Sequence, residues 1–222
     1  FPVEIHCSTM KSIFFLRCFL LVFFISQYCL GQQNDYYWPL GYASYSPSPL
    51  AGGMSLTFPN NVAQLDTHSR PMWFMYTNAT ISNDTGQLLF YTNGVFIANA
   101  IDDTMMNGSG LNPSWYTTQF SNTGLRSPQG AISICAPGSD SVYYVFHNTA
   151  DYPLPLGRPR YLYVTTINIF DDNGLGAVIN KNHVLIDDTL YPGTLTLSRH
   201  ANGRDWWLLV PRWGVDIGYY TL

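Results

Sequence analysis

Charged residues are scarce in this chain. They make up 11% of its 222 residues, less than half of the share that is usual in soluble domains. After residue 31 there is no Glu, and Lys181 is the single Lys. Because Glu and Lys are strong helix formers, this composition argues against a mostly helical protein. The same region holds thirteen Asp against eight Lys and Arg, so it lacks the basic footprint that nucleic-acid binding requires.

The longest apolar run lies near the start of the sequence. Met10 is followed by Lys11 and Arg17, and then by the apolar stretch 19–25 (FLLVFFI). A short positive region followed by such a run predicts a secretory signal peptide, residues 10–31. A membrane anchor is the alternative, but a spanning helix needs about 20 apolar residues and polar side chains interrupt this segment. We therefore expect export to the extracellular space or the outer cell surface, with no transmembrane helix after cleavage.

Cysteine is nearly absent once the predicted leader is removed. Three of the four Cys lie within the first 31 residues and Cys135 remains, so no intramolecular disulfide supports the exported chain. A secreted domain of this size then depends on its packed core. The predicted segments are a stretch translated upstream of Met10 (1–9), the signal peptide (10–31), an N-terminal lead-in (32–71) and the main domain (72–222).

A pattern of strand, polar turn and aromatic-rich strand recurs three times. The copies span residues 79–92, 131–146 and 194–210. Their second strands begin at positions 87, 141 and 205, a spacing compatible with propeller blades of about 40–50 residues that carry inserted loops. Short strands with regular turn signals predict all-β structure, and radial repetition leaves few exposed strand edges. We predict a partial β-propeller of about three antiparallel blades.

Three blades are too few to close a ring, for which four to eight are typical. The sequence ends inside a predicted strand that begins at Trp213. We therefore expect the chain to be the N-terminal part of a larger propeller protein. The residues in excess of the blades are predicted to form two loops, 107–129 and 149–159, both rich in Gly, Pro, Ser and Asn.

Several short motifs resemble one family in order and spacing. They are 80–94 (TISNDTGQLLFYTNG), 106–111 (MNGSGL), 173–176 (NGLG) and 198–207 (SRHANGRDWW). Over roughly residues 36–222 the chain resembles the N-terminal β-propeller region, quinoprotein-like or YVTN-like, of large exported Bacteroidota proteins of the type IX secretion and gliding-motility-associated kind. The resemblance implies a propeller followed by a C-terminal sorting domain. It implies no catalytic residues.

Two pairs of side chains are candidate ligand contacts. His200 and Asp205 flank the third turn and have the chemistry of an acid–base couple or of metal ligands. Hydrogen bonding within a turn that contains Gly203 explains the same pattern. Trp115 and Tyr116 lie in a predicted loop, where exposed aromatic rings can stack on a sugar; packing in the core is the alternative.

Paired aspartates are the remaining candidates for ion binding. They stand at 102–103, 171–172 and 187–188. The stretch 171–174 (DDNG) is similar to a calcium loop, but it lacks the alternate-residue spacing and the distal Glu of an EF-hand. Capping of turns by Asp and Asn side chains explains these pairs equally. We predict no cofactor, and the hypothesis kept open is that Ca²⁺ stabilises one of these loops.

These observations favour a binding or display module without a catalytic site. Recognition of a protein or a glycan would use loops on one face of a rigid scaffold. The alternative is the N-terminal part of a secreted hydrolase or other enzyme whose active site lies outside this chain. A purely structural spacer is the third hypothesis.

Overall fold

A computed structural model describes residues 35–42, 52–150, 157–214 and 218–222. The chain divides into two compact units, 1–32 and 33–222, and every described residue belongs to the second unit. The predicted upstream stretch and signal peptide therefore lie outside the described residues, as does part of the predicted loop 149–159. Within the described ranges, no helix is both long and apolar enough to span a bilayer.

Short strands make up almost all of the regular structure. The described residues hold one short α-helix and fourteen strands, in this order: β1 (Tyr37–Leu40), β2 (Met54–Thr57), β3 (Gln64–Thr67), β4 (Ala79–Ser82), β5 (Leu88–Thr92), β6 (Phe96–Asn99), β7 (Thr104–Ser109), α1 (Trp115–Gln119), β8 (Ala131–Cys135), β9 (Val142–His147), β10 (Tyr161–Asn168), β11 (Ala177–Asp187), β12 (Thr196–Arg199), β13 (Trp206–Arg212) and β14 (Gly218–Thr221).

The strands form three sheets. Two small antiparallel sheets, β1-β2-β3 and β12-β13-β14, accompany an eight-stranded sheet in the order β4-β5-β6-β7-β11-β10-β9-β8. The large sheet consists of two antiparallel meanders, β4–β7 and β8–β11, that join where Met106 of β7 pairs in parallel with Ala177 of β11. One sheet therefore contains both meanders.

The two free edges of this large sheet lie close together. β4 and β8 run beside each other, and the Ser133 hydroxyl on β8 donates a hydrogen bond to the Thr80 carbonyl on β4 over 3.1 Å. No ladder of main-chain hydrogen bonds links these two strands in the described residues. The sheet is therefore barrel-like and nearly closed, with a seam between β4 and β8.

The chain is all-β, but the prediction of a three-bladed propeller fragment is wrong. The predicted hairpins are confirmed as the pairs β4–β5, β8–β9 and β12–β13. The error comes from the strands that follow the hairpins. β7 occupies the start of the predicted loop 107–129, and β11 is a strand of 11 residues between the second and third predicted hairpins. These two strands meet and merge two predicted blades into one sheet.

A common core lies between the two meanders. Each of the eight strands contributes at least one buried apolar side chain to it. Phe90 of β5 meets Tyr143 of β9 edge to face, with 5.8 Å between ring centroids, a geometry that adds to the free energy of burial. Two further clusters pack on the outer faces, one beneath β12–β14 around Leu208 and Val210 and one around Met72 and Phe74.

A polar network is embedded at one end of this core. His147 is fully buried, and its Nδ1 and Nε2 lie 2.8 Å from Asn112 Oδ1 and Thr165 Oγ1. The Asn112 amide nitrogen donates to the Gly94 carbonyl, so the atom that faces His147 is the amide oxygen, which can only accept. Nδ1 of His147 therefore carries the proton, and Nε2 accepts a hydrogen bond from the Thr165 hydroxyl. Burial lowers the pKa of His147 to about 3, so the ring is neutral in the folded protein.

Acid should destabilise the fold through His147. An unfolded histidine titrates near pH ~6.5, whereas the pKa of folded His147 is about 3. Below about pH 6.5 the unfolded chain binds a proton that the folded chain does not, so this contribution to stability is complete above that pH and is lost as the pH falls towards 3. We expect chemical denaturation between about pH 6.5 and 4 to show a slope of up to ~1.4 kcal/mol per pH unit from this residue.

The substitution His147→Asn should lower stability and flatten that slope by about one proton. His183→Asn, at an exposed position of β11, is the matched control for loss of an imidazole and should leave the free energy of unfolding at neutral pH close to that of the unaltered protein. Equal slopes in the unaltered protein and in His147→Asn would contradict a neutral, buried imidazole.

Candidate functional site

An open cleft of about 380 Å³ lies along the seam between β4 and β8. The β4 side supplies Asn78, Ala79 and Thr80, with Tyr76 before the strand. The β8 side supplies Ala131, Ile132 and Ser133, and Gln129 and Leu195 complete the lining. The cleft exists because the two strand edges are held together by a side chain rather than by a full ladder. Its walls therefore stand on strands, which are more rigid than loops.

Two oxygen atoms in the β4 wall have no hydrogen-bond partner among the described residues. Asn78 and Thr80 are two residues apart, so their side chains leave the chain on the same side. The Asn78 amide nitrogen donates to the Pro39 carbonyl over 2.7 Å, which fixes the amide and leaves its oxygen buried and unpaired. Thr80 Oγ1 is also buried and unpaired. Leaving such atoms unsatisfied costs about 1–3 kcal/mol each.

A strained turn forms the end of the cleft. The Gly130 amide donates to the Ser127 carbonyl over 3.1 Å, which closes a turn with Pro128 and Gln129 at its centre. Gln129 has φ 49°, a left-handed conformation that costs a residue other than glycine about 1–2 kcal/mol. The Thr77 hydroxyl donates to the Ser127 carbonyl over 2.6 Å and anchors the turn. Strain of this kind is often retained at functional sites.

More unpaired polar atoms adjoin this turn. Ser127 Oγ and both amide atoms of Asn148 are buried without a partner among the described residues, although Asn148 donates its main-chain N–H to the Gly130 carbonyl over 3.0 Å. Of the residues with such atoms, Asn78 and Thr80 line the cleft, whereas Ser127 and Asn148 lie beside the turn at its end. Because buried polar groups in native proteins are rarely left unpaired, this end of the seam is the strongest candidate site.

The chemistry of the cleft suits binding rather than catalysis. Among the described residues that line it there is no Asp, Glu, His, Lys, Arg or Cys, so these residues pair no nucleophile with an adjacent base. It offers hydroxyl and amide groups for hydrogen bonds, the apolar faces of Ile132 and Leu195, and the ring of Tyr76, which is 60% exposed. Such a surface can hold a neutral ligand that has both polar and apolar parts.

The predicted pair Trp115 and Tyr116 lies on a short helix instead of in a loop. Ser114 caps the helix by accepting a hydrogen bond from the Thr117 N–H over 3.1 Å. Trp115 is 66% exposed, whereas Tyr116 packs on Phe120 with 4.7 Å between ring centroids, and burial raises its pKa. Neither residue lines the cleft, and their role in ligand binding stays a prediction.

The predicted pair His200 and Asp205 takes part in the β12–β13 turn. Asp205 accepts hydrogen bonds from the Asn202 amide at 2.6 Å and from Arg204 Nε at 2.8 Å. Arg204 and Asn202 thereby lower the pKa of Asp205 to about 2. His200 Nδ1 accepts from the Asn202 N–H over 3.2 Å, and its ring lies 5.0 Å from that of Trp207. The turn uses both side chains, and neither lines the cleft.

A second polar cluster was not foreseen from the sequence. His68 Nε2 lies 2.5 Å from Asp102 Oδ2, and the Tyr91 hydroxyl donates to Asp102 Oδ1 over 2.7 Å. Arg70, whose side chain is fully buried, donates to Ser55 Oγ at 2.9 Å and to the Met54 carbonyl at 3.0 Å. Burial and the bond to Asp102 raise the pKa of Tyr91.

This cluster contains the side chains of an acid–base site, but its geometry is that of a structural connection. Ser55 is only 5% exposed, and it already contacts Arg70 and the Tyr37 hydroxyl. A substrate would find no free hydroxyl there. The cluster instead joins the β1–β3 sheet to the loop that follows β6, where Asp102 lies.

No group of three or more His, Cys, Asp or Glu side chains in the described residues is placed to hold a metal ion. In each aspartate pair at least one carboxylate has a protein partner, as already described for Asp102. Asp171 accepts from the Asn168 amide, Asp187 from Arg160, and Asp188 from Tyr220. Stabilisation of a loop by Ca²⁺ stays a prediction.

Comparison of the chain with protein-family models, with curated proteins and with solved structures finds no match. The resemblance to exported Bacteroidota proteins therefore stays a prediction, and the site has to be argued from its own geometry.

The main chain at Gly193 packs closely against the strained turn. A Cβ atom at Gly193 would lie 2.0 Å from the Pro128 carbonyl oxygen, and the residue has φ +69°. We expect Gly193→Ala to lose about 1–2 kcal/mol from backbone strain and about 1–3 kcal/mol more from overpacking. Thermal and urea unfolding would measure this loss.

Gly203→Ala is the matched control for that substitution. Gly203 has φ +72° but nothing within 4 Å of its Cβ position, so it should show the strain alone. Equal losses in the two variants would contradict the close packing of residue 193 against the turn.

Proposed function

We propose that this chain is the binding module of an exported or cell-surface protein, and that it holds a protein or glycan ligand in the cleft between β4 and β8 without catalysing a reaction. The carrying observation is the pair of unpaired polar atoms, Asn78 Oδ1 and Thr80 Oγ1, on two residues that line that cleft. Both atoms are closed to solvent in the free protein, and a ligand that draws them into hydrogen bonds through small side-chain movements would remove a cost that the free protein bears.

The rigidity of the walls supports this proposal. Asn78 is held by Pro39, and the Thr80 carbonyl is held by Ser133. The turn at Gln129 is fixed by Thr77 on one side and by the approach of Gly193 on the other. A site that is ordered before binding loses less conformational entropy when the ligand arrives.

The composition of the leader supports export. A positive region before an apolar run is typical of a secretory signal, and it would place the cleft outside the cell.

The substitution Thr80→Val tests the proposal, because Val has nearly the same shape as Thr but no hydroxyl. We expect it to raise the melting temperature by removing a buried unpaired hydroxyl worth about 1–3 kcal/mol. We also expect affinity to fall about tenfold through the loss of one hydrogen bond to the ligand. The purified protein would be screened on a glycan array and on an array of peptides, and hits would be measured by calorimetry.

Thr104→Val, at an exposed position of β7, is the matched control and should change neither quantity. Binding that survives Thr80→Val, or no binding on either array, would overturn the proposal. Conversion of an arrayed ligand into a product would favour the hydrolase hypothesis instead.

A further inference from the structure

We propose that the ligand of the seam cleft is an uncharged saccharide, which stacks one sugar ring on Tyr76 and places hydroxyl groups against Asn78, Thr80 and Gln129. This inference rests on the proposed function and adds the chemical class of the ligand.

The absence of charge from the lining is the first argument. In the described part of the chain no charged side chain lines the cleft, so a phosphate, sulfate, carboxylate or ammonium group would lose its hydration without gaining a counter-ion from these residues. Burying an unpaired charge is far more costly than burying a hydroxyl that finds a hydrogen bond. A neutral ligand therefore fits this cleft, whereas acidic glycans and charged peptides do not.

The geometry of the seam argues against an extended peptide. A peptide that adds a strand needs free N–H and C=O groups along a sheet edge. The Thr80 carbonyl in the middle of β4 is already bonded to Ser133 of β8 at 3.1 Å. That bond also holds β4 and β8 too close together for a third strand to lie between them, since paired strands are about 4.8 Å apart.

The hydrogen-bonding groups match sugar hydroxyls. The exposed Gln129 amide can both donate and accept. Asn78 Oδ1, a pure acceptor, and Thr80 Oγ1, which can donate or accept, are closed to solvent in the free protein and reach a ligand only through small side-chain movements. A sugar hydroxyl also donates and accepts, so neighbouring hydroxyls of one ring can satisfy this mixed set.

The apolar surface completes the match. Tyr76 presents a ring that is 60% exposed at the rim, and Ile132 and Leu195 line the cleft behind it. A tyrosine ring offers a flat apolar face with a polar end, which suits the C–H face of a pyranose and its equatorial hydroxyls. The volume of about 380 Å³ lies within the range of small-ligand sites.

The conformation of Gln129 gives this inference a distinctive test. A glycine at φ 49° would relieve the backbone strain, so a purely structural position should tolerate Gln129→Gly or become more stable. If the Gln129 amide binds the sugar, the same variant should keep or raise its melting temperature and lose several-fold in affinity.

The experiment uses the purified protein and two matched sets of probes: neutral oligosaccharides of glucose, mannose, galactose and xylose, and their uronic, sulfated or sialylated counterparts. We expect binding to a neutral member and little change in affinity between low and high salt. Tyr76→Ala should reduce affinity more than tenfold, Tyr76→Phe much less, and Trp115→Ala, an exposed aromatic outside the cleft, not at all.

The outcomes separate the two proposals. A peptide or an acidic glycan whose binding falls with Thr80→Val would overturn the saccharide inference and leave the cleft as the binding site. If the affinity for a neutral sugar falls in Trp115→Ala but is unchanged in Tyr76→Ala, both the position of the site and this inference would be overturned. Failure of every neutral probe to bind would also overturn it.

Discussion

The structure depends on how the edges of the large sheet meet. On one side, β7 and β11 join two meanders through a parallel pairing at Met106 and Ala177. On the other side, β4 and β8 approach without a main-chain ladder in the described residues, and Ser133 donates a hydrogen bond to the Thr80 carbonyl. The pairing of β7 with β11 encloses a single core, to which all eight strands contribute buried apolar side chains. The approach of β4 to β8 leaves a seam in which some polar atoms find no hydrogen-bond partner within the sheet.

Local sequence patterns predicted the hairpins and not the sheet. Alternating apolar residues around Gly-containing turns specify a hairpin through neighbouring residues alone, and all three predicted hairpins are present. The pairing of β7 with β11 joins residues about 70 positions apart, and β7 contains Asn107 and Gly108, which are poor strand formers. A repeat shows that similar units exist, but it does not show which edges of those units pair.

The candidate site was harder to predict for a related reason. Aromatic and ionisable residues such as Trp115 and His200 stand out in a sequence because their chemistry is distinctive. The cleft is built from Asn78, Thr80 and Gln129, whose side chains are as common in turns and on surfaces as in sites. Their significance comes from burial without a partner, and burial depends on the strand edge that faces them. The one local signal was Gln129 after Pro128, at a turn position that usually takes Gly or Asn.

The buried polar residues elsewhere show that this chain can satisfy such groups. One residue before Asn148, His147 is fully buried and uses both ring nitrogens, with Asn112 and Thr165 as partners. Arg70 is equally buried and makes several hydrogen bonds to the β1–β3 sheet. Unpaired atoms also occur on Arg70 and Arg158, but only those on Asn78 and Thr80 belong to described residues that line the seam cleft. The strained turn at Gln129 borders the same space. Stability given up beside a space that can hold a ligand is what a binding site requires.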